Sequence, residues 1–153
     1  MTMSGSRQTG NTLNPLRLSP RFRFALYGAF LALFVTGAAW LVADGLKDTS
    51  SGEMWQAIAA TLLMLHGGAT MVTLMLLGAL VPLHVQRAWR TRRNRVTGTL
   101  MVTFNAVLIA TAFGLYYLGS EALRPWASNV HIGVGLFLPV LFLVHIVLGR
   151  RSG

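Results

Sequence analysis

Four stretches of the chain are apolar almost without interruption, and short polar segments separate them. A helix needs about 20 mostly apolar residues to cross a bilayer. Stretches of that length run from about Phe24 to Ala43, Trp55 to His84, Leu100 to Leu118 and Trp126 to Leu148. None contains Lys, Arg, Asp or Glu. The pattern predicts an all-α fold: an integral membrane four-helix bundle over residues 22–153, with no room for a separate soluble domain. Residues 1–21 are polar, rich in Gly, Ser, Thr and Asn, and read as a mobile N-terminal arm. Arg21 and Arg23, followed by the small residues Gly37, Ala38 and Ala39, imitate a secretory leader. The intervening apolar run is too long for one, so it reads as a retained first helix. No internal repeat is visible.

Boundary residues agree with these spans. Trp40, Trp55 and Trp126 fall at one set of ends and Trp89 at the other, where amphipathic rings meet the headgroups. Pro125 suits the first turn of the fourth helix. Pro82 and Pro139 lie inside spans and are expected to kink them.

Composition sharpens the picture. Hydrophobic residues make up 54% of the 153 positions and charged residues 11%, against about 25% charged in soluble domains. So apolar a chain is not a disordered one. With no cysteine, disulfide scaffolds, thiolate zinc sites, iron–sulfur clusters and covalent CxxCH haem are excluded.

The net charge of +9 is unevenly placed. Arg7, Arg17, Arg21 and Arg23 precede the first span, Arg87, Arg90, Arg92, Arg93 and Arg95 separate the second from the third, and Arg150 and Arg151 follow the fourth. In an alternating topology these share one side. Lys47, Arg124 and all four acids, Asp44, Asp48, Glu53 and Glu121, share the other. Positive residues stay inside, so both termini are expected in the cytoplasm, with the bacterial inner membrane as the setting. The basic loop is a topology signal and a contact for anionic lipid. No groove-reading or base-stacking element accompanies it, so nucleic acid is not an expected partner.

The four histidines, His66, His84, His131 and His145, all lie inside the second and fourth spans. Ionisable residues within a span mark function by default. His66 and His84 are 18 residues apart, five turns of an unbroken helix, and His131 and His145 are 14 apart, near four turns. If the two helices are neighbours, His66 meets His131 toward the outer side and His84 meets His145 toward the inner side. Paired neutral imidazoles in a dry bundle are axial ligands for haem iron. The expected cofactor is non-covalent haem b, two per chain or one if only one pair is filled. The His131–His145 rise, about 21 Å at 1.5 Å per residue, would let two haems span most of the membrane, although 18 residues rise about 6 Å more. Gly67, Gly68, Gly133, Gly135 and Gly149 flank the ligands and serve either macrocycle clearance or ordinary helix packing.

HIGVGLFLPVLFLVH in the last span and MLHGG in the second resemble the small four-helix di-haem cytochromes of the b561-like group. That group includes the membrane subunit of formate dehydrogenase and the hydrogenase cytochrome b. The resemblance covers residues 22–150 and implies His66 with His131 as ligands of the outer haem. In that group the other haem takes a ligand from the first helix, whereas FRFALYGAFLALFVTGAAWLVA has no histidine. A ligand set confined to helices two and four is similar instead to cytochrome b of the bc complexes, without its long loops, extra helices or usual spacing. The pair His84–His145 therefore rests on geometry.

Other signals are weaker. Met64, Met71 and Met75 form a stripe suited to copper but more simply to packing. Thr103 and Asn105 suit helix association or a quinone pocket. Arg124 and Arg87 suit interfacial anchors or propionate partners. No catalytic carboxylate pair, nucleophile triad or phosphate loop is present. The expected function is electron transfer between the quinone pool and a larger redox subunit or cytochrome c, as a subunit of an oxidoreductase rather than a self-contained enzyme. Its rivals are a haem-free structural or assembly subunit of a membrane complex and a stand-alone quinone-linked oxidoreductase.

Overall fold

A computed structural model describes residues 18–86 and 95–151. The side chains of Leu83, His84, Arg150 and Arg151 lie outside what it describes, as do the arm up to Arg17 and the basic loop from Arg87 to Asn94, with Trp89. Four helices follow one another: α1 Pro20–Gly45, α2 Gly52–Leu80, α3 Arg95–Tyr117 and α4 Leu123–Arg151. Each is long and apolar enough to cross a membrane. Between 0% and 11% of each span's most apolar window is buried within the chain. Helices apolar all round and bare on most sides have lipid as their solvent, because hydrogen bonding within each helix leaves no backbone group for the hydrocarbon to satisfy.

Local chemistry sets the helix ends. Ser19 caps α1, its hydroxyl oxygen accepting the amide of Phe22, and Pro20 opens the first turn. Ser120 likewise accepts the amide of Leu123 at the start of α4. Glu53 lies in the first turn of α2, where a negative charge complements the helix dipole. Beyond Leu80 the second helix continues through a π-helical turn, Val81–Val85, closed by the Gln86 amide on the Val81 carbonyl. Pro82 explains the wide turn: it lacks an amide proton and its ring crowds the carbonyl one turn back. At the proline where the sequence predicted a kink, the helix takes in an extra residue. A face count made on an unbroken helix therefore does not carry through to His84. Pro139 sits inside α4 without interrupting it.

The helices form two hairpins. α1 packs along α2 and α3 along α4, while α1 against α4 is the main backbone approach between hairpins. Tyr27 and Phe30 of α1 set their rings 5.5 and 5.3 Å from Phe142 of α4. Leu26, Ala29, Leu138 and Leu141 are buried in the same layer. This layer lies toward the chain-terminal ends of α1 and α4. Nearer the connecting turns, the hairpins are bridged by imidazoles rather than aromatics.

The α1–α2 turn depends on one glycine. A Cβ on Gly52 would run into the carbonyl oxygen of Lys47, and the Gly52 amide closes the turn on the Thr49 carbonyl at 3.0 Å. Gly52→Ala is expected to destabilise the chain by about 1–3 kcal/mol, the usual cost of forcing atoms into filled space. Thermal unfolding in detergent measures it, and an unchanged midpoint would show that the turn yields freely.

Candidate functional site

Two histidines from different hairpins meet where α2 passes α4. The rings of His66 and His131 have centroids 6.3 Å apart and planes inclined at 75°. Each ring is held by a threonine of its own hairpin. Nδ1 of His66 lies 3.0 Å from Oγ1 of Thr36 on α1, and Nδ1 of His131 lies 2.9 Å from Oγ1 of Thr111 on α3. Each imidazole also has a backbone hydrogen-bond partner one turn before that threonine, Leu33 for His66 and Leu108 for His131.

These distances test whether the pair suits one metal. An imidazole nitrogen binds a metal at about 2.0 Å, and ring centroids 6.3 Å apart are compatible with a group held by both rings. Two nitrogens alone leave a metal ion short of donors, and no group of three or more metal-binding side chains gathers among the described residues. A macrocycle supplying its own four nitrogens completes such a site, so the donor set fits haem. α2 and α4 meet here through side chains more than through backbone. On the other side of the ring, a Cβ on Gly37 would stand 3.3 Å from Cε1 of His66, so that imidazole is already seated against the α1 backbone.

His145 lies on α4 toward its C-terminal end, its Nδ1 2.9 Å from Oγ1 of Thr97 on α3. A Cβ on Gly98 would stand 4.0 Å from Cε1 of the ring. Its expected partner, His84, belongs to the π-helical turn, but the His84 side chain lies outside what is described. The structure thus brings together the outer pair of the sequence reading and equips one member of the inner pair in a similar way.

Other candidates fall away from this centre. Met64, Met71 and Met75 are 72%, 69% and 77% exposed. The stripe points outward, so it neither packs within the chain nor joins His66 in a copper route. Asn105 donates through Nδ2 to the Met101 carbonyl of its own helix at 2.8 Å, which is not the inter-helix bond expected of it. Arg124 is exposed in the first turn of α4, and Arg87 lies outside the described residues.

Sequence reasoning missed Thr36, Thr97 and Thr111. A signal existed: Thr97 and Thr111 are fourteen residues apart, the same spacing as His131 and His145. In two antiparallel helices, equal spacings place both members opposite one another. Compared with models of protein families, with curated proteins and with solved structures, the chain finds no match.

Proposed function

We propose that the chain is a membrane b-type cytochrome whose outer haem is held by His66 and His131, and whose inner haem is held by His84 and His145. The observation that carries this reading is the 6.3 Å separation of two imidazoles from different hairpins, each held through Nδ1 by a threonine of its own hairpin. When bound, haem iron accepts and releases single electrons. The chain's part is to fix two nitrogens on opposite sides of the macrocycle and to keep water and competing ligands away within an apolar bundle. Two sites displaced along α4 by about 21 Å would carry electrons across the membrane, between the quinone pool and a larger redox subunit or cytochrome c. The arginine bias supports both termini lying in the cytoplasm of a bacterial cell.

A second reading has an observation of its own. Each histidine whose side chain is described bonds a threonine on the neighbouring helix, as polar residues do when they join helices in a haem-free structural subunit. Such joints need only one nitrogen, and they do not require His66 and His131 to meet.

The reduced-minus-oxidised absorbance spectrum and haem-to-protein ratio of the purified chain decide between the readings. Two haems per chain are expected. One would remove the His84–His145 site, and none would leave the structural reading.

A further inference from the structure

The geometry points to Thr36 and Thr111 as positioning residues that fix the tautomer of His66 and His131, leaving Nε2 of each imidazole free of its proton to bind a metal. The assignment rests on counting protons. A hydroxyl has one proton to give and two lone pairs to receive. Oγ1 of Thr36 gives its proton to the Ala32 carbonyl, one turn back in α1, at 2.6 Å. Oγ1 of Thr111 gives its proton to the Val107 carbonyl of α3 at 2.7 Å. Thr61, Thr70 and Thr73 do the same within α2. In hydrocarbon, a helical threonine meets its own carbonyl and becomes an acceptor only. Whatever bonds the other side of that oxygen must bring the proton. Nδ1 of His66 and Nδ1 of His131 are therefore N–H donors, and a neutral imidazole protonated at Nδ1 is bare at Nε2.

The three contacts share one plan. None of the threonines lies on a histidine-bearing helix: Thr36 is on α1, and Thr97 and Thr111 are on α3. α3 carries its two threonines at the histidine spacing of α4, so each meets its partner at the same register. A small residue follows each threonine, Gly37, Gly98 and Ala112. Thr97 meets His145 at the register where Thr111 meets His131.

The metal-binding half of this proposal rests on the haem reading above, while the tautomer half does not, and the test separates them. The full chain, labelled with 15N at histidine and held haem-free in detergent, is read by imidazole nitrogen shifts. His66 and His131 are expected to show a protonated Nδ1 and a bare Nε2. In Thr36→Val or Thr111→Val, the one histidine facing the change should move toward the Nε2–H form, and Thr→Ser should restore it. Haemin titration of the same variants should show affinity lowered about 10- to 100-fold, as when other orienting partners of metal-bound histidines are lost. The midpoint potential of the haem at that site should rise, because a ligand without its acceptor donates less to ferric iron. Wild-type protein with Nε2–H at His66 and His131 would overturn the proposal, and so would valine variants with unchanged shifts. Correct tautomers in a chain that takes up no haemin would leave the positioning role standing and remove the haem reading.

Discussion

Replacing His131 by Ala is expected to empty the outer site while leaving the bundle folded. The ring of His131 is the only α4 imidazole within reach of His66, so its loss leaves a single axial nitrogen facing the other hairpin. Removing a metal ligand costs more than removing its orienting partner, so haem retention at this site should fall by more than about 10- to 100-fold. The remaining structure has little cause to change. The aromatic layer of Tyr27, Phe30 and Phe142 lies on a different level of the bundle, and no cavity opens in a core that is mostly lipid-facing. His66→Ala should give the same spectrum as His131→Ala, and the double variant should do no more damage than either, since the two act as one unit. Haem content per chain, with thermal unfolding as a control, measures this. An unaltered spectrum in both single variants would separate the pair from any cofactor.

His145→Ala is expected to have the second large effect, and a different one. Haem should fall from two per chain to one, with the spectrum of the outer site intact. His131 and its bond to Thr111 lie about 21 Å along α4. The surviving haem should still be reduced by small soluble donors that reach its own side. Transfer to the opposite face should drop to background, because no redox group remains there. Vesicles with a reductant on one side and an oxidant on the other would show it. Equal transmembrane rates in the variant and the parent would mean that the inner site carries no electrons.

The sequence disclosed the helices well because bilayer thickness leaves few alternatives: the apolar runs that begin at Phe24, Trp55, Leu100 and Trp126 each start inside one of α1 to α4. The outer pair was legible for a related reason. A histidine in hydrocarbon needs a partner, and the second and fourth spans hold every histidine in the chain. The threonines were not legible singly, because a helical threonine looks the same whether its oxygen serves only its own backbone, as Thr61 does, or also a neighbouring ring, as Thr111 does. Only the matched spacing on α3 and α4 distinguishes them. The π-helical form of the turn at Val81–Val85 was not legible, because proline announces a broken backbone bond, not how the chain repairs it.

Each imidazole of the outer pair is aimed by a threonine of its own hairpin, yet the pair itself straddles both hairpins. Half of the socket is therefore finished when α1–α2 is in the membrane and the other half when α3–α4 arrives. On the haem proposal, a cofactor held by both hairpins would act as a clasp between two prefabricated parts. It favours their union by mass action, worth about 2.7 kcal/mol at a hundredfold excess over its dissociation constant. The aromatic layer of Tyr27, Phe30 and Phe142 also joins the hairpins, so haem supply would tune the lifetime of an assembly that already holds together.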